Sequence, residues 1–450
     1  MTLALAVLVT SLAVGWSQGR LNSVICGGDC GAANATAPDG LRDAGAAAMA
    51  LGGAPRGQAD LDAMVRASGP ARSTPVLGDH VGLAIGTPEI GSRVVTAGEG
   101  GFVPASTTKL LTTFAALARL EPGQRFATSA VAEGDRLVLV GGGDPYLTGR
   151  RVEGDPSVVR ADLATLAKRA ARSLKASGVT TVTLGFDDSL FEGPAVNPAW
   201  PQTYVRDNVV TPIGALWVDR GMVDTHHPES TPRRTDPPRH AADLFAGYLR
   251  KAGIKVRDEI ARTTAPRSAT PVARVESATV AQIVESTVRT SDDEAAEVLL
   301  RHVAIAAGEP STFEGGTRAV VTTLRAAHLD VEDLRLEDGS GLSRENRISP
   351  TTLVAVLRAA LAEGRFAPVI DDLPVSGFSG TLAARFAHQA HGLVRAKTGT
   401  LTGVHSLAGV ALDDQGHPVV FAVMADRTDR SQPFAAQAAL DRVAAALTTP

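Results

Sequence analysis

A mixed α/β protein with a separate unit in its middle is what the chain predicts, on three grounds. Strand-like runs alternate with amphipathic helical segments before about residue 122 and again after Val272. Between about Gly123 and Pro271 the pattern changes to short strands around one strong helix, followed by many prolines. At 450 residues and 44% hydrophobic, the chain can bury a large core; 45 Gly, 26 Pro and 4% aromatics describe a turn-rich fold with an Ala and Val interior.

Charge excludes some functions. Lys plus Arg number 44 against 48 Asp plus Glu, for a formal charge of −4, so no basic footprint points to nucleic acid. Two Cys are too few for a disulfide framework or a four-thiolate zinc site.

Taken in order, Met1 to Ser17 is an apolar run of signal-peptide length, shorter than a comfortable membrane span. It reads as an export signal. Because a positive n-region is missing, a misplaced start, an uncleaved membrane anchor and a buried helix are the alternatives. Cys26 and Cys30 fall in the same signal-like or anchor segment, residues 1–30. Residues 31–72, rich in Ala, Gly and Pro, read as a flexible linker with one short helix around Asp60 to Arg66, and folded structure is expected from near Leu77. Val81, Leu83 and Ile85, then Val94 and Val95 across Pro88 and Gly91, predict a hairpin. A helix follows Pro104-Ala105, with Leu110, Phe114 and Leu117 on one side and a stop at Pro122-Gly123.

In the middle unit, strands are expected at Arg136 to Val140 and Val179 to Leu184, with a helix from Ala161 to Ala176. His226 and His227 are adjacent, so their side chains diverge; with no third ligand near, they read as part of a solvated loop rather than a metal site. Beyond Val272 come helices at Val280 to Val288 and Ala295 to Ala306, a Gly-rich turn at Asp338 to Gly341, strands at Val404 to Leu412 and Pro418 to Met424 flanking a turn at Asp413 to Gly416, and a helix from Phe434 to Leu447.

Three short motifs carry chemistry. Ser106 and Lys109, three residues apart at a helix start, sit on one face about 5–6 Å between Cβ atoms, near enough to share a proton. Serine is a weak nucleophile, and a lysine serves as its base only when burial and nearby cations favour the neutral amine. Ser291-Asp292-Asp293 lies between two predicted helices. Lys397-Thr398-Gly399-Thr400 combines a cation, hydroxyls and a glycine that lets backbone approach closely, a set suited to a carboxylate lying along a strand edge. Each motif alone has an ordinary reading: a capping serine with a surface lysine, an N-cap cluster for a helix beginning at Glu294, and a β-turn.

Order and combination change that reading. S-x-x-K, S-D-x and K-T-G in this sequence order match the three-part signature of penicillin-binding serine acyl enzymes. The chain resembles the D-alanyl-D-alanine carboxypeptidases/endopeptidases of the class C low-molecular-mass type, peptidase family S13. Further resemblance lies in Gly141-Gly142-Gly143-Asp144-Pro145, Val210-Thr211-Pro212-Ile213, Asp338-Gly339-Ser340-Gly341-Leu342-Ser343 and Leu373-Pro374-Val375.

The resemblance implies an exported cell-envelope enzyme of the penicillin-binding/β-lactamase-like transpeptidase fold. It would act on peptidoglycan stem peptides ending in D-alanyl-D-alanine, be acylated by β-lactams, and need no metal or organic cofactor. By the same resemblance Ser106 is the nucleophile, Lys109 its base, and Ser291 the hydroxyl that relays a proton to the leaving amine. Lys397 lowers the pKa of its neighbours and, with Thr398 and Thr400, holds the substrate carboxylate; Asp293 and Gly399 complete the substrate-binding set, and the N–H groups of Ser106 and Thr400 form the oxyanion hole. The Asp338 to Gly341 turn is structural support. The family also places extra domains between the first two motifs, which assigns 73–122 and 270–450 to the catalytic domain and 123–269 to an insertion, with one inserted module reduced or absent.

One position departs from the family, which has Asn where this chain has Asp293. A charged carboxylate about 4 Å from Lys109 contributes an attraction on the order of 4 kcal/mol at an effective dielectric of 20, which favours the non-basic ammonium. The expectation is a slower or pH-shifted enzyme. A catalytically weakened peptidoglycan-binding or sensory protein is the alternative, with a β-lactamase third, since no deacylating Glu motif is evident.

Overall fold

The computed structural model describes residues 58–151, 160–225, 231–257, 259–386, 389–412 and 416–448. The export-signal run, Cys26, Cys30, His226, His227 and most of the turn at Asp413 to Gly416 lie outside the described residues. Eleven strands occur among the described residues: β1 (Val81–Gly86), β2 (Val94–Ala97), β3 (Arg125–Glu133), β4 (Arg136–Val140), β5 (Thr181–Asp187), β6 (Lys255–Val256), β7 (Ala261–Arg262), β8 (Thr270–Thr279), β9 (Val394–Leu401), β10 (Val404–Leu412) and β11 (Pro418–Ala425). They form two sheets.

The first sheet is antiparallel, in the order β2-β1-β11-β10-β9. Its central strand β11 shows why it needs cover on both sides. Successive strand side chains point to opposite faces, and every residue from Val419 to Ala425 is buried. Val419, Phe421, Val423 and Ala425 pack with Leu61, Met64 and the helix Pro433–Ala445, whereas Val420, Ala422 and Met424 pack with the helices Lys109–Arg119, Val280–Thr290, Asp293–Ala307 and Pro350–Ala362. A continuous apolar run is the signature of a strand buried on both faces.

Leu61 and Met64 correct an expectation. Residues 58–72 are not a flexible linker: the short helix expected around Asp60 to Arg66 runs Gln58–Ala67, a second, Gly69–Arg72, follows it, and burial of Leu61 and Met64 at 3% exposure each fixes the first of them to the sheet. Their small, Ala-rich composition gave a weak periodic signal, and tertiary packing supplied the missing stability.

The second sheet runs β6-β5-β4-β3-β8, with β7 also pairing β5. β4, β5 and β6 are parallel and β3 is antiparallel to both its neighbours. The parallel connection from β4 to β5 needs a crossover, supplied by the helix Leu163–Ala176. Asp162 caps that helix by accepting from Thr165 N at 2.7 Å. A second helix, Pro237–Lys251, packs beside it over Leu137, Leu139, Val182 and Leu184. The expected boundary at residue 269 cuts through this unit's ladder, because β8 pairs with β3 along Thr270–Thr279. Nor does everything between 123 and 269 belong to the second core. Trp200, Val210, Ile213 and Trp217 return to the first and pack with Phe114 and Val284.

A buried ion pair fastens the loop before β9 to the last long helix. Arg385 grips Asp441 through Nη2–Oδ1 at 2.5 Å and Nε–Oδ1 at 3.1 Å, each residue only 8% exposed. Removing one partner strands the other charge, so Arg385→Met is expected to cost about 3–5 kcal/mol of stability in denaturant titration. A midpoint unchanged from the parent would contradict this assignment.

Candidate active site

Ser106 lies in a 3-10 turn, Ala105–Thr108, that leads into the helix Lys109–Arg119. Ala105 has φ 48, a left-handed conformation that turns the chain sharply ahead of the serine. The flanking hydroxyls stabilise the turn: Thr107 Oγ1 donates to Pro104 O at 2.8 Å and Thr108 Oγ1 to Ala105 O at 2.9 Å. Ser106 makes no capping bond. Its Oγ instead accepts from Lys109 Nζ at 2.9 Å.

Lys109 is fully buried, and its Nζ also donates to Asp293 Oδ1 at 2.6 Å and to Ser340 O at 2.7 Å. An ammonium has three donors, and here each has an acceptor. The Ser340 carbonyl is held in place from behind. Buried Glu297 accepts from Gly339 N and from Ser340 N at 2.7 Å, and Asp338 accepts from Gly341 N, Ser343 N and Trp200 Nε1. Burial, reinforced by the charge of Asp338, pushes the Glu297 carboxyl up to about 8. The Asp338 to Gly341 turn therefore does more than the structural support expected of it: one of its carbonyls touches the lysine.

Between the helices Val280–Thr290 and Asp293–Ala307, Ser291 adopts φ 61, ψ 39. Asp292 takes the capping role, accepting from Ala295 N at 3.0 Å. That division of labour leaves its two neighbours for the site. Asp293 reaches Lys109, and Ser291 Oγ accepts from Lys397 Nζ at 2.8 Å. The helix begins at Asp293, two residues before the expected start at Ala295.

Lys397, Thr398, Gly399 and Thr400 lie in β9, so the alternative of a β-turn is excluded. β9 ends the sheet: β10 pairs with one side, and from Lys397 to Leu401 its other side carries no strand among the described residues. Lys397 is fully buried and also donates to Thr398 O at 2.8 Å. Burial, then the charges of Lys109 and Arg385, hold its ammonium well below the ordinary lysine value, with Asp293 opposing. Thr398 Oγ1 is 2.8 Å from Thr381 Oγ1, and Thr400 is exposed. Gly399 permits the close approach of strand to serine: a Cβ there would lie 2.6 Å from Pro104 O and 3.1 Å from Ser106 N.

The residues of the three motifs, Ser106 and Lys109, Ser291 and Asp293, and Lys397 to Thr400, thus occupy one place. Sequence reasoning missed Glu297 and Thr381. Glu297 is one helical turn after Asp293 and shares its face, a relation visible only once the helix register is known; Thr381 carried no signal. Among the described residues no group of three or more His, Cys, Asp or Glu is placed to hold a metal.

The sequence model of the D-Ala-D-Ala carboxypeptidase 3 (S13) family matches residues 71–232 and 226–447. A carboxypeptidase of Mycobacterium tuberculosis is 36% identical over 343 residues, 72% of this chain and 71% of its own length. Carboxypeptidase DacB of Mycolicibacterium smegmatis is 32% identical over 360 residues, covering 76% and 75%. Among solved structures, penicillin binding protein 4 of Haemophilus influenzae superposes with a TM-score of 0.69 at 20% identity, over 86% of this chain and 98% of that one, and it has also been solved with a β-lactam bound. The helix-and-sheet architecture is that of this penicillin-binding protein.

Proposed function

The chain belongs to the D-Ala-D-Ala carboxypeptidase 3 (S13) family, and on that premise we propose that it is an exported serine D-alanyl-D-alanine carboxypeptidase/endopeptidase of peptidoglycan stem peptides, working through an acyl-enzyme on Ser106 and inhibited by β-lactams. The observation that carries this reading is a pair of hydroxyls, each bonded to a buried lysine: Ser106 Oγ at 2.9 Å from Lys109 Nζ, and Ser291 Oγ at 2.8 Å from Lys397 Nζ.

An extended peptide lies along the open edge of β9, its terminal carboxylate drawn to Lys397 and the hydroxyls of Thr398 and Thr400. Ser106 Oγ attacks the carbonyl carbon while its proton passes to Lys109 Nζ. The oxyanion collects at the N–H groups of Ser106 and Thr400, fixed donors whose orientation costs no reorganisation. As the C–N bond breaks, the amine takes the Ser291 proton and Lys397 replaces it. In hydrolysis, water attacks the ester carbon, its proton goes to Lys397, and Lys109 returns a proton to Ser106 Oγ, which restores both lysines.

A weakened peptidoglycan-binding protein of the same fold is the second reading, favoured by the carboxylate–ammonium contact at 2.6 Å between Asp293 and Lys109. Intact-mass measurement after incubation with a penicillin separates the two. The expected result is one covalent adduct, on the peptide containing Ser106, absent in Ser106→Ala. A folded parent that takes up no adduct would sink the acyl-enzyme reading.

A further inference from the structure

We propose that Asp293 is the proton store of this site: Lys109 becomes the base for Ser106 by handing a proton to the Asp293 carboxylate instead of releasing it to solvent. The inference deepens the serine acyl-enzyme reading above and rests on it.

The geometry begins at Nζ of Lys109. Its three contacts are Ser106 Oγ, Asp293 Oδ1 and Ser340 O, at 2.9, 2.6 and 2.7 Å, and its side chain is fully buried. With all three positions donating, the nitrogen has no lone pair to offer Ser106. One proton must leave. Burial denies it direct access to water, an amide carbonyl such as Ser340 O is a poor proton acceptor, and Ser106 is the group to be deprotonated. Asp293 is the ionisable acceptor in contact, and an amide at that position, as in the resembling family, could not take the proton.

Charges on the surrounding elements leave Asp293 free for this task. On its own helix, Asp292 and Glu294 flank it, yet both are claimed by Arg220, at 3.4 and 2.6 Å, and Glu294 also by Arg233 at 3.5 Å. Arg220 is aimed there by consecutive left-handed residues, Asp219 (φ 52), Arg220 (φ 56) and Gly221 (φ 66). Lys109 faces Asp293 from the helix Lys109–Arg119, Lys397 from β9, and Tyr204 from the segment after Trp200. Burial raises the Asp293 carboxyl above its ordinary value, against the pull of Lys109, which makes it a better proton acceptor.

The step balances. An Nζ–H bond of Lys109 breaks as an O–H bond forms on Asp293, turning ion pair into neutral amine and neutral acid. The freed lone pair takes the Ser106 proton as Oγ bonds to the carbonyl carbon. Lys109 is then an ammonium, Asp293 an acid and the carbonyl oxygen an anion, for the same net charge as at the start.

The acid limb of the acylation rate identifies the group that titrates. If the pair stores a proton, activity is lost when the ion pair gains a second one, a carboxyl ionisation whose enthalpy is near zero. If Lys109 must instead lose its proton to solvent, the limb is an amine ionisation, which moves to lower pH on warming. The experiment follows penicillin acylation of the full chain across pH at two temperatures, in the parent and in Asp293→Asn. The expected parent limb stays put, and the variant limb moves down by several tenths of a pH unit on warming. A parent limb that moves like an amine overturns the proposal, even if the variant fails to fold, and so does a variant that keeps the parent's temperature-insensitive limb. No Ser106 adduct in the parent at any pH overturns the acyl-enzyme reading beneath it, and the inference with it.

Discussion

Gly341→Ala is expected to abolish detectable acylation of Ser106 and to lower stability by about 2–5 kcal/mol, combining about 1–3 for forced overpacking with about 1–2 for an L-residue held left-handed. Gly341 has φ +89, and a Cβ on it would sit 1.8 Å from Ala105 O and 2.9 Å from Thr108 Oγ1. Both contacts belong to the turn that carries Ser106. Relief requires the Ser340–Gly341 backbone to withdraw from that turn, which carries the Ser340 carbonyl away from Lys109 and opens the bond between Thr112 Oγ1 and Gly339 O, now 2.7 Å. One methyl group thereby disturbs the nucleophile's turn and the base's third acceptor together. Thermal denaturation and adduct mass check the two effects separately, and a variant that acylates at the parent rate would show that the turn is not part of the site.

Lys109→Met is expected to reduce β-lactam acylation by about 10³-fold, within the usual range for a positioned base. Methionine fills most of the lysine's volume but has no proton acceptor for Ser106 Oγ. The fold survives the change. Asp293, left without its ammonium, keeps 23% of its side chain exposed, so its carboxylate is solvated rather than stranded in a dry interior. The expected outcome is a melting temperature close to the parent's with acylation lost, measured by differential scanning calorimetry and stopped mass sampling. Acylation within tenfold of the parent would assign the base to another group, for which Lys397 beside Ser291 is the candidate.

Much of the architecture was readable along the chain where periodicity was strong. The hairpin β1–β2, the strands Arg136–Val140 and Val404–Leu412, and the helix ending at Ala176 agree with expectation to within a few residues. Weaker elements were not seen. β3 alternates in burial, but its buried positions Phe126, Thr128 and Ala130 give little apolar contrast in the sequence, and β8 shows neither clean alternation nor a continuous apolar run; the two pair along one ladder. Glycines and threonines dilute propensity in the helix Phe313–Ala326, and threonines do so in Pro350–Ala362, whose proline suits the first helical position. Their stability comes from packing into the core with Phe114 and Val284.

The sequence by itself determined which residue types meet in the site, because the S-x-x-K, S-D-D and K-T-G spacings fix local faces: three residues along a helix place Ser106 and Lys109 together whatever surrounds them. It also placed Asp293 where a neutral amide is usual in the resembling family. Only the tertiary structure decided what these groups do to one another. Whether Lys109 is dry, that its third acceptor is the Ser340 carbonyl, that Arg220 and Arg233 occupy the acids beside Asp293, and that β9 has an open edge are consequences of segments far apart in the chain. Charge interactions and burial depend on distance through space, which residue order does not encode.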